Sequence, residues 1–338
     1  MKIAIVSEEY DSDSVWRDGG LVNVREAVSL LYPDACLIRE RRSPTVASFR
    51  QAWRVAMRME EIDLGGFDLV ITLSAGFAHG VIPGFRTKHL AYCFAYSGMN
   101  TARGLRGHWY RFWSGSTAFH IDRWLTSSTK LCQMLMRNRH GNAKTIYPPV
   151  SINIDHTEFL SSPLPRFPFS PETAYAVLLP GRYGLSEHQA VVDACNKAEM
   201  ELVIISSDTG NGRNLERERW VNEVVAPSRA ARRVVLGSAA FAIAIEQEIF
   251  PAAAAEALVL QKPVLALRGS AAEEVVREGE TGLFFDDLHP GVIGDGLRRM
   301  RERQKYFSEA SFQKASLQFS AERFRREFQE AVTETLEL

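Results

Sequence analysis

The sequence of 338 residues predicts an α/β protein with two doubly wound domains, and three observations lead to this prediction. Short apolar segments that end in small or polar residues alternate with helical segments over residues 1–150. A proline-rich stretch, residues 161–173, then interrupts the alternation. The same alternation returns from Ala174 onward. Because strands that alternate with helices indicate βαβ units and parallel sheets, we expect one such sheet on each side of the break.

The first half of the chain reads as a series of buried strands with helices between several of them. The segment KIAIVS is the first strand, Gly19 and Gly20 close a loop, and a helix follows from Leu21 to Leu31. Tyr32-Pro33 ends that helix because proline cannot continue it. The further predicted strands are FDLVITLS (67–74), KHLAYCF (88–94), IDRWLTSS (121–128) and AKTIYPPV (143–150).

The second half repeats this pattern and ends in helix. A helix is predicted from Glu187 to Ala198, and Ser308 to Leu338 has an apolar face that we expect to pack back on the first domain. The expected domain limits are 1–165, joined by about 319–338, and 166–318. The predicted strands are AYAVLLPGR (174–182), ELVIISS (201–207), RVVLG (233–237), AFAIAIE (240–246), PVLAL (263–267) and TGLFF (281–285).

The composition is that of an ordinary soluble globular protein, with 46% hydrophobic residues, 24% charged residues and a net charge of −1. No apolar run approaches the roughly 18 residues that a membrane span requires. The start, MKIAIVSEEY, turns acidic too early for a signal peptide, so we expect a cytoplasmic protein. The four cysteines form no CxxC pair, which argues against a zinc cluster and a disulfide framework.

Positive charge is concentrated in the first half, where residues 1–150 contain 19 Lys and Arg against 13 Asp and Glu. Several of the arginines lie between Arg39 and Arg58. They could attract an anionic lipid surface or a pyrophosphate-linked acceptor, or they could be ordinary surface residues. A nucleic-acid partner is not expected, because the half is only mildly basic and no recognition motif occurs.

The clearest candidate ligand site is a pair of acidic residues, Glu248 and Glu256. The apolar run before them predicts a buried strand, Ile249 to Ala252 a tight turn, and Ala253 to Leu260 a helix. Glu248 would then end the strand, and Glu256 would lie in the first helical turn. Open α/β sheets bind ligands at this edge, so the two carboxylates could hold hydroxyl groups. The alternative is an ordinary strand-to-helix connection with a solvated glutamate.

The ordered set of motifs resembles the GT-B glycosyltransferases of family 4, especially the bacterial mannosyltransferase-like branch that builds surface polysaccharide. The resemblance covers nearly the whole chain, and it implies two Rossmann-like domains that face each other across a cleft. The matching pieces are Gly19-Gly20, LSAGFAHGV (73–81), LAYCF (90–94), IDRWLTSSTKLCQML (121–135), IYPPV (146–150), Gly181-Arg182, EIFPAAAAE (248–256), KPVLA (262–266), EEVVREGETGLFF (273–285) and FSAERFRREF (319–328).

The resemblance implies roles for individual residues of the donor site. Gly19 and Gly20 would let the backbone approach the donor diphosphate or the acceptor, although they could equally form an ordinary turn. Arg182 would bind the donor phosphates through its fork of N–H donors, unless it only forms a surface ion pair. Glu248 would hold hydroxyls of the transferred sugar, and Glu256 would hold the ribose of the nucleotide.

Backbone amides near Phe250 and Ala252 would lie beside the sugar and the phosphates. The family transfers sugars without a bound metal, so we expect neither a metal nor a cofactor, and the nucleotide-sugar is a substrate. The segment DSD at 11–13 matches a metal-binding Asp-x-Asp only superficially, and we interpret it as a solvated loop.

Several positions depart from the family pattern. Glu187 stands where a lysine for the diphosphate is expected, and Phe94 stands where a histidine is expected, although His79 could substitute for it. Pro251 replaces a glycine and has no N–H to offer, and Gln261 stands where glycine is usual. Only a few residues separate RVVLG from AFAIAIE, where the family has an extra helix, so the second domain is expected to be abridged.

The segment NTARGLRGHWYRFW, residues 100–113, is a candidate acceptor site. Aromatic faces stack on sugar rings and arginines bind phosphate, so Arg103, Arg106 and Trp109 would suit a saccharide or a lipid-pyrophosphate acceptor at a membrane surface. Packing of the tryptophans into the first domain is the alternative.

Two functions remain open. The first is a retaining glycosyltransferase that moves a sugar from a nucleotide-sugar to a saccharide or lipid-linked acceptor, with possible peripheral membrane contact through the basic half. The second is a glycosyltransferase-like protein without transfer activity that binds a glycan, a nucleotide or a protein. A dehydrogenase is disfavoured, because no GxGxxG follows a predicted strand.

Overall fold

A computed structural model describes residues 1–10, 19–42, 48–94, 104–137, 143–150, 173–179, 185–206, 219–225, 228–245 and 249–338. The chain divides into two compact units: an amino-terminal unit of residues 1–149 with 320–338, and a carboxy-terminal unit of residues 150–319. Each unit contains a six-stranded sheet. The domain boundary expected at residue 165 lies outside the described residues and stays a prediction.

Six parallel strands form the sheet of the amino-terminal unit. They are β1 (Ile3–Tyr10), β2 (Cys36–Arg42), β3 (Leu69–Ser74), β4 (Lys88–Cys93), β5 (Arg123–Thr126) and β6 (Ala143–Thr145), and their order is β2-β1-β3-β4-β5-β6. The helices are α1 (Gly19–Leu31), α2 (Phe49–Glu60), α3 (Leu105–Thr117) and α4 (Thr129–Arg137), with 3₁₀ turns at Ala78–Gly80 and Ala118–His120. Strand β3 is buried at every position, as expected for a strand that is covered on both faces.

The carboxy-terminal unit is built in the same way. Its strands are β7 (Tyr175–Leu178), β8 (Glu201–Ser206), β9 (Val221–Val225), β10 (Phe241–Ala244), β11 (Val264–Leu267) and β12 (Gly282–Phe285), all parallel in the order β12-β11-β10-β7-β8-β9. Its helices are α5 (Leu185–Lys197), α6 (Arg229–Ser238), α7 (Ala252–Val259), α8 (Pro290–Arg303) and α9 (Glu309–Ser316). Across the described part of the chain, every helix is too short or too polar to cross a bilayer.

The last helix, α10 (Ala321–Leu336), returns to the amino-terminal unit. The rings of Phe324 and Phe328 are buried, and their centroids lie 6.0 and 6.3 Å from that of Tyr92 on β4. Arg323 donates from Nη2 to the carbonyl oxygen of Tyr147 at 2.6 Å. The helix therefore covers a face of the sheet that would otherwise expose aromatic side chains.

Two sequence expectations for the carboxy-terminal unit are wrong. The segment RVVLG is not a strand, because residues 233–237 lie inside α6. The expected shortening of this unit is wrong for the same reason: a helix is present before β10. The α6 sequence has apolar residues on one face only, Val235 and Leu236 being buried, which is the periodicity of an amphipathic helix.

A non-glycine residue ends α7 in the left-handed backbone region. Gln261 has a φ of 58°, the N–H of Gln261 donates to the carbonyl of Leu258, and the N–H of Lys262 donates to the carbonyl of Ala257 at 2.8 Å. This is a Schellman-type helix end, in which glycine is favoured because it has no Cβ. The position where the sequence suggests a missing glycine is therefore one where the backbone requires glycine-like geometry.

Replacement of Gln261 by glycine is expected to stabilise the protein. Relief of the left-handed strain should exceed the entropy that glycine adds to the unfolded chain, with a net gain of about 0.5–1 kcal/mol in the free energy of unfolding. Urea titration measures this change. The control is Gln313→Gly inside α9, which should lower stability by about 1 kcal/mol. If Gln261→Gly is no more stable than the wild type, the backbone of Gln261 is not strained.

A buried histidine links two central strands of the amino-terminal sheet. The His89 Nε2 on β4 lies 3.1 Å from the Thr72 hydroxyl on β3, and the side chain is fully buried. Burial lowers the pKa of His89 from its ordinary value to about 4, and the nearby Asp122 carboxylate offsets only part of this effect.

Stability is therefore expected to fall on acidification. The pKa of His89 is lower in the folded than in the unfolded chain, so its contribution is complete above about pH 6.5 and is lost as the pH falls toward 4. Over that window the lost free energy of unfolding should approach about 3 kcal/mol. Urea titrations of wild type and His89→Gln at several pH values test this. If both lose stability equally between pH 6.5 and 4, His89 is not responsible.

Candidate functional site

The topology of each sheet creates one crevice where ligands bind in open α/β sheets. In the amino-terminal sheet the chain order reverses between β1 and β3, and in the carboxy-terminal sheet it reverses between β7 and β10. Connections leave in opposite directions at such a switch point, so a gap opens beyond the carboxyl ends of the two strands.

A buried glutamate that the sequence reasoning missed lies at the amino-terminal crevice. Glu8 on β1 is 2% exposed, and its Oε1 accepts hydrogen bonds from the N–H groups of Phe77 at 2.5 Å and Ala78 at 2.6 Å. The Ser74 hydroxyl at the end of β3 donates to the same oxygen at 3.3 Å. Glu8 therefore anchors the start of the 3₁₀ turn at residues 78–80 to the edge of the sheet. An acid in the last third of an apolar strand was its only sequence signal.

His79, the predicted polar substitute at this crevice, continues the same network. Its Nδ1 lies 3.0 Å from the Ser74 hydroxyl, and its Nε2 lies 3.0 Å from the Ser114 hydroxyl on α3. The single Ser74 hydroxyl hydrogen goes to Glu8, so Nδ1 of His79 donates to Ser74. Both ring nitrogens of His79 are thus engaged with hydroxyl groups.

The surroundings of His79 are apolar. The ring is 1% exposed, and its centroid lies 5.3 Å from that of Trp113 and 5.6 Å from that of Trp124. To accept a proton from a substrate, His79 would have to exchange its bond to Ser114. Its catalytic role stays a proposal.

The two glycines after the first strand start helix α1. Gly19 is the first helical residue, and Gly20 is buried. A Cβ on Gly20 would lie 2.4 Å from Cζ of Phe94, well inside van der Waals contact. Phe94 occupies the position where the resemblance leads us to expect a histidine. Close packing of its ring therefore accounts for glycine at position 20.

The candidate acceptor segment is only partly described. Arg103 and the side chain of Arg106 lie outside the described residues. Trp109 on α3 is half-buried, stacks on Trp113 with centroids 6.0 Å apart, and meets the edge of Phe49 at 5.3 Å. Trp109 therefore belongs to an aromatic cluster between α2 and α3, as in the packing alternative, and its acceptor role stays a proposal.

At the carboxy-terminal crevice, two predicted ligand residues lie outside the described residues. Arg182 follows the end of β7 by four positions, and Glu248 follows the end of β10 by four positions. These are the two strands that flank the switch point. The positions of Arg182 and Glu248 along the chain are those expected of ligand residues, and their roles stay predictions.

In the turn before α7, backbone groups form a hydrogen bond with each other. Pro251 has φ −83° and ψ 68°, and the N–H of Ala252 donates to the carbonyl of Phe250 at 2.9 Å, which is an inverse γ-turn. The ring of Phe250 is buried, and its centroid lies 6.2 Å from that of Phe319. In this conformation neither residue 251 nor residue 252 offers an N–H to a ligand. The proposed ligand role of the Ala252 amide would require this turn to open.

Glu256 is buried between two arginines that the sequence reasoning did not select. Its Oε2 lies 2.7 Å from Nη2 of Arg232, and its Oε1 lies 3.1 Å from Nε of Arg233. The three side chains are 6 to 12% exposed. Glu256 is the fifth residue of α7, one residue further along than expected, because the helix starts at Ala252 and not at Ala253.

The arginines come from α6, the helix that the sequence suggested was missing. Helix α6 follows β9 and α7 follows β10, so both helices start at the carboxyl edge of the sheet. Their second turns bring the three charged groups together. Two cations and one anion leave a net positive charge, which suits an anionic ligand.

Glu187 lies in the first turn of α5 and is half-exposed. A carboxylate is favoured there by the helix dipole, which explains the residue locally. Within the ranges that the structure covers, the side chains form no cluster of three or more His, Cys, Asp or Glu suited to a metal ion.

The contact between Gly20 and Phe94 leaves no room for a side chain at position 20. Gly20→Ala should lower the free energy of unfolding by about 1–3 kcal/mol, because the new methyl group overlaps the Phe94 ring. Chemical denaturation of Gly20→Ala, Phe94→Ala and the double variant measures the coupling. The matched control is Gly115→Ala in α3, where the added Cβ meets no described atom within 4 Å and should not destabilise. If the losses of stability in Gly20→Ala and Phe94→Ala add up to the loss in the double variant, the two residues are not coupled and the contact is contradicted.

No family model and no curated protein matches the chain, whereas many solved structures do. A glycosyltransferase from Rickettsia africae ESF-5 has a TM-score of 0.63 and 14% identity over 99% of both chains. HepE from Anabaena, solved with UDP and glucose, has a TM-score of 0.69 and 12% identity over 99% of this chain and 100% of its own. Sucrose-phosphate synthase from Thermosynechococcus elongatus has a TM-score of 0.68 and 11% identity over 99% of both chains. Likeness at such identities concerns the fold, and this chain has the GT-B fold of glycosyltransferases.

Proposed function

We propose that the protein is a retaining glycosyltransferase. It would move a sugar from a nucleotide-sugar to a saccharide or lipid-linked saccharide during synthesis of surface polysaccharide or another glycan. The observation that carries the proposal is the buried Glu256 carboxylate between Arg232 and Arg233, at the ligand edge of a unit with a glycosyltransferase fold.

Glu256 is suited to bind the ribose of the donor. Each of its oxygens accepts one N–H bond, and a carboxylate has about four acceptor positions, so two ribose hydroxyls can still donate to it. The excess positive charge of Arg232 and Arg233 favours the donor diphosphate and counteracts the unfavourable charge of Glu187. HepE was solved with UDP, so UDP is the first nucleotide to test.

The chemical step needs groups beside the transferred sugar and the leaving diphosphate. Arg182 would bind the phosphates and help the nucleoside diphosphate leave, and Glu248 would hold hydroxyls of the sugar as its bond to the diphosphate breaks. Gly19, Gly20 and His79 are the proposed contributions of the amino-terminal unit. We propose that transfer requires no metal ion.

The acceptor is proposed to be a saccharide or a lipid-linked saccharide. Arg103 and Arg106 would meet its phosphates, and Trp109 would stack on a sugar ring. A lipid-linked acceptor presented at the inner face of a membrane would require a cytoplasmic enzyme that reaches the membrane surface.

A binding protein without transfer activity is the second candidate, and the inverse γ-turn before α7 favours it. The Ala252 N–H is bonded to Phe250, and Pro251 has no N–H, so the amides that would stabilise negative charge are already used or missing. Phe94 adds an apolar ring where a polar group is expected. Under this hypothesis the protein would bind a glycan, a nucleotide or a protein partner.

Glu256→Gln tests the donor site. UDP should raise the melting temperature of the wild type, and the variant should bind UDP about 10–100-fold more weakly because a charged acceptor of ribose hydroxyls is lost. Thermal shift and isothermal titration calorimetry measure this. Glu280→Gln on the surface of the same unit is the matched control. Glu256→Ala is less suitable, because it would leave two buried guanidinium groups unpaired and destabilise the unit.

Turnover separates the two candidates. Release of UDP from a UDP-sugar, with or without an acceptor, would support transfer. Binding of UDP that depends on Glu256 without any turnover would support the binding protein. If no nucleoside diphosphate or nucleotide-sugar binds at millimolar concentration, both the donor site and the proposed transferase are wrong.

A further inference from the structure

The outer side of α3 carries large apolar side chains in contact with solvent. Leu105 and Phe112 are 88% and 76% exposed, and they lie two helical turns apart on one face. Phe119 follows at the same spacing in the next 3₁₀ turn and is 90% exposed. The inner side of the helix is fully used, since Tyr110 and Trp113 are buried. The exposed row is therefore additional to the packing of the domain.

The segment between the 3₁₀ turn at 78–80 and β4 extends this apolar surface. Ile82 is exposed and Phe85 is completely exposed. The segment lies next to the end of the α3 row, because Asp122 binds both the Lys88 ammonium at 3.5 Å and the His89 N–H at 2.8 Å. We name the surface formed by Ile82, Phe85, Leu105, Phe112 and Phe119 the apolar face.

Basic residues outnumber acidic residues around the apolar face. From Leu69 to Ile121 the chain contains no Asp or Glu. The same stretch contains five basic residues, Arg86, Lys88, Arg103, Arg106 and Arg111. Arg86 and Arg111 are exposed. The face thus combines apolar side chains with an excess of basic residues, and Asp122 at its edge pairs with Lys88 at 3.5 Å.

This arrangement differs from the arginine-rich stretch between Arg39 and Arg58, which was the sequence-based candidate for a membrane contact. In that stretch Arg58 pairs with Glu40 at 3.0 Å, so part of the charge is neutralised. The apolar face is the better candidate because its charge and its exposed aromatic rings occur together.

We propose that the apolar face docks on an anionic lipid surface. Phenylalanine and leucine side chains enter the boundary between headgroups and acyl chains, while Arg86 and Arg111 meet lipid phosphates. Each cation near an anionic leaflet strengthens binding by about fivefold. A second copy of the chain fits less well, because a symmetric contact would bring the same cations of both copies together.

The inference does not depend on the proposed donor site, because it uses none of its residues, although Leu105, Arg111 and Phe112 belong to the candidate acceptor segment 100–113. It assigns a membrane-facing side to the amino-terminal unit. Helix α3 follows β4 and precedes β5, so its Leu105 end lies toward the carboxyl edge of the parallel sheet and its Thr117 end toward the amino edge. The proposed contact runs along this helix.

Vesicle co-sedimentation of the full-length chain tests the proposal. The wild type should bind vesicles of equal parts phosphatidylcholine and phosphatidylglycerol, bind pure phosphatidylcholine much more weakly, and lose binding as NaCl rises. Phe112→Ser with Phe119→Ser should weaken binding roughly tenfold or more. Arg86→Gln with Arg111→Gln should weaken it about 25-fold. These side chains are exposed, so circular dichroism and the melting temperature should be unchanged.

The controls are Tyr306→Ser and Leu317→Ser, which remove exposed apolar side chains of the carboxy-terminal unit and should leave vesicle binding intact. The proposal is overturned if anionic vesicles do not bind the wild type. It is also overturned if the phenylalanine variants bind as well as the wild type, or if pure phosphatidylcholine binds equally. Light scattering that shows a dimer abolished by the phenylalanine variants would assign the face to a second copy instead.

Discussion

Each unit buries both faces of a six-stranded parallel sheet, and this constraint determines where its polar chemistry can lie. The interior strands have no solvent-facing side, so their side chains are nearly all apolar. Charged groups can enter only at the strand ends, where the backbone leaves the sheet. Glu8 and Glu256 both follow this rule. Glu8 lies on strand β1, close to its carboxyl end. Glu256 lies on helix α7, which starts beyond the carboxyl end of β10.

The buried carboxylates of Glu8 and Glu256 have different kinds of partner. Glu8 accepts hydrogen bonds from backbone N–H groups and a hydroxyl, which fix the shape of a loop. Glu256 is held by two guanidinium groups and is part of a site with an excess of positive charge. A buried ion cluster contributes little net stability because desolvation offsets the attraction. The proposed ligand site would give these three charges a role besides folding.

Much of the fold follows from the sequence, and the failures have a common physical origin. The predicted strands other than RVVLG are confirmed, including the edge strands β6 and β12, whereas the strands missing from the prediction, β2 and β9, form the opposite edge of each sheet. An edge strand has a more exposed environment and carries charged residues, so CLIRERR and VNEVV do not form the continuous apolar runs that mark an interior strand. RVVLG was misassigned because a short apolar run fits either a strand or a helix face.

The candidate site was predictable only where a motif marks a position along the chain. The Ala-rich segment predicts the helix at Ala252–Val259, and the position of Glu256 along the chain places it in that helix. Arg232 and Arg233 are not predictable in this way, since their contact with Glu256 joins two helices that are distant in sequence. The contacts of Glu8 with Ala78 and of Phe94 with Gly20 also join residues that are distant in sequence. No local sequence pattern encodes such contacts.

The return of α10 to the amino-terminal unit makes residues 150–319 an insertion within that unit. During synthesis, strands β1 to β6 leave the ribosome long before Phe324 and Phe328, which cover Tyr92. The inserted unit contains all of its own strands and helices and can fold while the amino-terminal sheet still lacks its last helix. Strands β1 to β6 therefore complete their core only after α10 has been synthesised, and until then an apolar face of a parallel sheet must be kept from aggregating.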